Sequence, residues 1–128
     1  MAHLNHIGVY VRDIEEAKHF FEKYFDAKSG EKYHNPRKSF SSYLLSFDDG
    51  ATLEIMTKPD LNILTDRTNN YGYAHISISV GSKRKVDEIT KRLNDDGYIH
   101  LDGPRVTGDG YYESAILDAE GNVIEITI

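Results

Sequence analysis

The chain has 128 residues and no cysteine, which excludes a disulfide framework and thiolate chemistry. Hydrophobic residues make up 39% and charged residues 28%, the balance of a globular chain long enough for a core of its own. The formal charge of −6 argues against nucleic acid, which calls for clustered Lys and Arg, and no apolar run approaches membrane-spanning length; a cytoplasmic protein is the expectation.

The first predicted element is a strand over Leu4–Val11, where apolar and polar residues alternate. Asp13 then offers an N-cap, with Glu16 three residues on as in a capping box. Ile14, Ala17, Phe20, Phe21, Tyr24 and Phe25 recur at helical spacing, which predicts an amphipathic helix to about Phe25. Strands are predicted near Glu31–His34, at Ser39–Phe47 and at Ala51–Thr57, the last two joined by a turn at Asp48-Asp49-Gly50. Residues 58–72 read as a polar connector. A further strand is predicted over Tyr73–Val80, followed by a helix capped by Ser82, with Val86, Ile89 and Leu93 inward and Gly97 at its end. Lys83-Arg84-Lys85, the one basic cluster, reads as the solvated first turn of this helix. Strands near Tyr98–Leu101, Tyr112–Leu117 and Val123–Ile128 complete the chain. The intervening GPRVTGDGYYE, residues 103–113, reads as a mobile loop suited to a lid, and its glycines are equally explained by turns.

This order of elements occurs twice. HIGVYV from His6 matches HISISV from His75, and DGATLEI from Asp49 matches EGNVIEI from Glu120, at a spacing two residues longer. Two βαβββ modules are therefore expected, residues 1–57 and 73–128, within a single domain spanning residues 1–128. Side chains alternate across a strand, so phase assigns faces. With Ile7, Val9 and Val11 toward the helix, His6 faces away from it. By the same rule His75, Glu54 and Glu125 take the helix-free face, at equivalent stations of the two modules. A glutamate twice inserted between apolar residues of an interior strand needs a cation, several donors or exposure. Read singly, a strand His or Glu is more often a surface residue. As repeat-related pairs, two imidazoles and two carboxylates form a charge-balanced set for one divalent ion with open positions. His3, His19, His34 and His100 show no such pairing and read as incidental.

Paired βαβββ modules with His, Glu, His and Glu at these stations resemble the vicinal oxygen chelate superfamily, and most of all its glyoxalase I (lactoylglutathione lyase) branch. The similarity covers nearly the whole chain and is most specific in GYAHISISV, residues 72–80, and LDAEGNVIEI, residues 117–126, where Ala119 replaces the usual Pro. The resemblance implies an α+β fold whose two modules form a half-open, mixed, eight-stranded barrel-like sheet. It implies one divalent ion (Ni, Co, Zn or Mn) on His6, Glu54, His75 and Glu125, and a homodimer whose second chain completes the barrel. It also implies the activity of a lyase or isomerase that converts a 2-oxoaldehyde–thiol hemithioacetal to a 2-hydroxyacyl thioester, as in methylglyoxal detoxification. Glu54 and Glu125 are both candidates for the proton shuttle. Tyr10 stands where glutathione-using members commonly carry Arg, and Lys58 where they often have Asn, so the thiol is left open. Arg37, Lys38, Lys58, Arg67 and Arg105 are candidate anchors for an anionic substrate; Tyr43, Tyr111 and Tyr112 are candidates to line its pocket. Two alternatives follow from the same resemblance: a metal-dependent epimerase, and a metal-free drug-sequestering protein of the bleomycin-resistance type.

Overall fold

The computed structural model describes residues 1–64 and 69–128. The chain forms two compact units, Met1–Ile63 and Leu64–Ile128. In the first, β1 (His6–Tyr10) leads to α1 (Ile14–Phe25), then β2 (Lys28–Ser29), β3 (Tyr33–Asn35), β4 (Phe40–Ser46) and β5 (Thr52–Thr57). In the second, β6 (His75–Ser79) leads to α2 (Lys83–Asp95), then β7 (His100–Val106), β8 (Tyr112–Leu117) and β9 (Val123–Thr127). The fold is α+β. Strands run in the order β1-β5-β4-β2 in one sheet, with β3 also paired to β4, and β6-β9-β8-β7 in the other. Neither sheet closes into a barrel. Two short strands, β2 and β3, stand where one was expected, so the described residues carry nine strands and not eight.

In each unit the first strand pairs in parallel with the last, because a helix crosses between them, while the intervening hairpins are antiparallel. Both helices begin at the expected caps. The Asp13 carboxylate accepts the Glu15 and Glu16 backbone N–H groups at 3.0 Å, and the Ser82 hydroxyl accepts that of Lys85 at 3.2 Å. Asp26 (φ 53°) and Gly97 (φ 92°) follow the helix ends in the left-handed region, as the C-terminal turn requires. Phe20, Phe21, Tyr24 and Phe25 of α1 are buried with Leu45, Leu53 and Ile55 of the first sheet. Val86, Thr90 and Leu93 of α2 are buried with Ser114, Ile116, Ile124 and Ile126 of the second. The hydroxyl groups of Thr90 and Ser114 bond to each other at 2.6 Å, so the polar atoms in this apolar layer are satisfied.

The structure corrects two expectations. Ile7 shares the helix-side phase of Leu53 but is 37% exposed, because β1 is the outermost strand and α1 packs over the inner ones. The segment read as a lid is largely a hairpin. Residues 103–106 belong to β7, with Arg105 opposite Glu113 and Val106 opposite Tyr112, and the turn itself is closed by reciprocal bonds between Thr107 and Tyr111. Among the described residues no helix is long and apolar enough to cross a membrane.

Candidate functional site

In the second unit Ser77 lies directly opposite Glu125, and Ile76 and Ile78 oppose the buried Ile124 and Ile126. His75 and Glu125 therefore share the helix-free face. The His75 Nε2 stands 3.1 Å from Glu125 Oε2, with the two side chains 41% and 25% exposed. Two atoms on adjacent octahedral positions about 2.1 Å from an ion would be roughly 3 Å apart, so this pair has the spacing of neighbouring ligands.

The first unit repeats the arrangement. Gly8 lies opposite Glu54 and His6 opposite Thr52, which puts His6 and Glu54 on one helix-free face, the Glu one pleat repeat further along. His6 Nδ1 is 2.8 Å from the Asn5 side-chain oxygen. A neutral imidazole that donates from Nδ1 to that oxygen keeps its Nε2 lone pair for a ligand, the usual second-partner pattern of metal-binding imidazoles. Gly8 makes room for the Met56 side chain beside Glu54: a Cβ there would stand 2.8 Å from the Met56 methyl and 4.0 Å from Glu54 Oε1. On the other side of each Glu, Leu44 opposes Glu54 and Ala115 opposes Glu125. Both carboxylates thus occupy the same station in the same ladder.

Each unit brings together one imidazole and one carboxylate. Among the described residues of neither unit do three His, Cys, Asp or Glu side chains gather into a site that could hold an ion. The donor set of each half fits half of a mixed nitrogen and oxygen coordination shell.

The sequence reading missed Glu113. Ser114 and Ile116 are buried toward α2, so Glu113 and Ala115 project to the face that carries His75 and Glu125. Burial raises the Glu113 carboxyl above the ordinary carboxylate range. A hydrogen bond with Glu125, the Glu125 charge and that of Asp109 add to the rise, against a lowering by His75. Its repeat-equivalent in the first module is Ser42, so the duplication that singled out the other four residues could not mark it. Phase alone could have done so. A cavity of about 170 Å³ opens here, lined by Asp102, Arg105, Thr107, Glu113 and Glu125 among others. A second cavity of about 200 Å³ lies between α2 and β7 and is lined by none of the four candidate ligands.

The other candidates are dispersed. Tyr43 is buried on the α1 side, where its hydroxyl donates to Glu15 at 2.9 Å; this lowers the Glu15 carboxyl, which Lys32 also bonds at 3.2 Å. Tyr112 shares the phase of Ser114 and donates to Asp87 of α2, which raises its phenol. Neither tyrosine lies on the helix-free face, because both fall in step with the core residues of their strands. Tyr111 lies exposed in the β7–β8 turn, and Arg37 and Lys38 in the β3–β4 turn, where their backbone N–H groups bond Asn35. Lys58 Nζ sits 5.3 Å from the centre of the Tyr10 ring. Arg67 lies outside the described residues. Arg105 lines the cavity beside Glu125. Of the remaining histidines, His34 bonds the Ser41 hydroxyl at 2.7 Å and His19 lies 3.8 Å from Glu22.

Comparisons with known proteins agree with this architecture. A domain from Frankia sp. EAN1pec, described as glyoxylase/bleomycin resistance protein/dioxygenase, superposes with a TM-score of 0.83 at 19% identity, covering 100% of this chain and 98% of that one. Trypanothione-dependent glyoxalase I of Leishmania major gives 0.79 at 17% identity, covering 99% and 86%. The fosfomycin resistance protein FosX of Listeria monocytogenes, complexed with Mn(II) and sulfate, gives 0.75 at 20%, covering 99% and 92%. At these identities the likeness is one of fold. No protein of curated function matches the sequence. The family model for the Glyoxalase/Bleomycin resistance protein/Dioxygenase superfamily matches residues 3–126, and with the duplicated modules just described it establishes that the chain belongs to that superfamily.

Proposed function

We propose that the protein is a metal-dependent isomerase or lyase of the glyoxalase I type, in which His6, Glu54, His75 and Glu125 hold one divalent ion. The observation that carries this reading is the placement of a His and a Glu at matching ladder positions on the helix-free face of both sheets. The two modules would then act as one domain, completed as a homodimer. Solved relatives of this fold include a manganese-bound protein and a glyoxalase I.

When bound, a divalent ion supplies Lewis-acid polarisation of the substrate oxygens and so acidifies the neighbouring C–H bond. The chain's own work is proton transfer. Glu54 or Glu125 takes the proton from one carbon of the hemithioacetal and returns it to the next, acting as base and then as acid. The two differ in surroundings: Glu125 has Glu113 and His75 beside it, whereas Glu54 is flanked by Gly8 and Leu44. A carboxylate with no imidazole or second carboxyl held against it is freer to take up and return a proton, which favours Glu54 as the shuttle.

The test is a screen of the Ni-, Co-, Zn- and Mn-loaded protein against methylglyoxal with several thiols, glutathione included, and against a thioester epimerisation substrate. Turnover of a hemithioacetal is expected, with Glu54→Gln lowering kcat by about 10²–10⁴. Turnover confined to the thioester would establish the epimerase instead. A protein that binds no metal yet retains a small molecule would be a sequestering protein.

A further inference from the structure

In β7, Asp102 opposes Ala115 and Arg105 opposes Glu113, so three steps along β7 match two along β8. In a regular strand, residues three apart point to opposite faces. The extra residue is a β-bulge, and it turns both Asp102 and Arg105 toward the face that carries Glu113 and Glu125. Gly103 makes the bulge possible: its φ is 76°, and a Cβ there would stand 2.4 Å from the Glu113 carbonyl oxygen. The strand is therefore locked at the point where it re-aims Arg105.

Arg105 is the one cation among the described residues that line the cavity against Glu125. Its Nε donates to Asp102 Oδ2 at 2.7 Å, while Asp102 Oδ1 accepts the Gly103 N–H at 2.9 Å. The carboxylate thus holds the guanidinium at Nε, and among the described residues no other hydrogen bond engages the two terminal amino groups. Those two groups form a planar fork with the spacing of a carboxylate or phosphonate edge. A cavity of about 170 Å³ accepts such a group with a few carbons attached.

We propose that Arg105 is a specificity-determining residue that anchors an oxyanion of the substrate beside the ion-binding face, with Asp102 as its positioning residue. The substrate class is then an adduct bearing a carboxylate or phosphonate a few bonds from the reacting carbons. This rests on the isomerase reading for its kinetic test, and on binding alone for a second test.

In the kinetic test, Zn- or Ni-loaded protein is assayed with methylglyoxal adducts of 3-mercaptopropionate and of uncharged 2-mercaptoethanol. The wild type is expected to favour the charged adduct by about tenfold or more in kcat/KM, through KM. Arg105→Gln should bring the ratio near one, Arg105→Lys should restore part of it, and Arg84→Gln on exposed α2 should leave it intact. A ratio that Arg105→Gln does not change, or a wild type without preference, overturns the proposal. In the binding test, acetate or methylphosphonate is titrated into Zn-loaded protein while the Arg105 Nε–H and Gly103 amide NMR signals are followed. Saturable shifts that vanish at Gly103 in Arg105→Gln support the anchor even if neither adduct turns over, in which case the isomerase reading alone fails. Flat titrations with both anions overturn the anchor. The tighter of the two anions identifies the group.

Discussion

At the scale of the residue, Glu125 stands at the centre of the proposed ion-binding face of the second unit. It lies between the Ile124 and Ile126 core positions, stands 3.1 Å from His75 Nε2, and has Glu113 as a second acidic neighbour. Replacing His75 by Ala removes one donor and leaves two carboxyl groups without their imidazole. The expected outcome is a loss of Zn affinity of at least tenfold by isothermal titration, with the circular dichroism spectrum unchanged. Asp118 plays a structural part at the β8–β9 turn. Its carboxylate accepts the N–H groups of Glu120 and Asn122 at 2.9 and 2.8 Å and the Asn122 side-chain amide at 3.1 Å. Burial nevertheless raises it above the ordinary aspartate range, the three bonds offsetting only part of that effect. The folded state then holds a proton where the unfolded chain has released it, so this group's contribution makes stability fall as pH rises through the window just above the ordinary value. Asp118→Ala should cost about 1–3 kcal/mol and flatten that part of the pH dependence, as denaturant melts at several pH values would show.

At the scale of the element, helices hold the sheets from one side and leave the other free. The Asp13 cap satisfies two N–H groups of α1, and Asp13→Ala should cost about 0.5–2 kcal/mol in urea denaturation. Leu93 of α2 is fully buried against the second sheet, and Leu93→Ala should cost about 2–5 kcal/mol, the spread reflecting how far the site can collapse. Neither change touches the helix-free faces, so metal affinity should survive both. Strand β7 behaves differently, because its bulge puts two charged residues where strict alternation would put one. An alanine at Gly103 should push β7 off the Glu113 carbonyl and be read as lost amide protection along the β7–β8 hairpin.

At the scale of the molecule, the duplication makes a two-fold set of donors from one strand plan. If both halves share one ion, a cation in hundredfold excess over its Kd should add about 2.7 kcal/mol to stability, and a chelator should remove that increment from the melting curve. Gly8 and Ser77, or Leu44 and Ala115, show that the copies have diverged in what surrounds the same carboxylate. That divergence is where a preference for one Glu as proton carrier, and for one class of substrate, would arise.

Much of this was legible without coordinates. Caps at Asp13 and Ser82, turns at Gly50 and Gly121, and the phase of His6, Glu54, His75 and Glu125 are local properties, and the repeat states each of them twice. Tertiary structure decided what alternation cannot express. The bulge that brings Asp102 and Arg105 to one face depends on the register of a partner strand, and the helix-side burial of Tyr43 and Tyr112 depends on what packs above them. Glu113, whose counterpart in the first module is Ser42, was not marked by the repeat, and its contact with Glu125 brought it into view. The side on which a strand residue emerges is set by the backbone's own pleat, but an inserted residue reverses it, and only the pairing of two distant segments reveals the insertion.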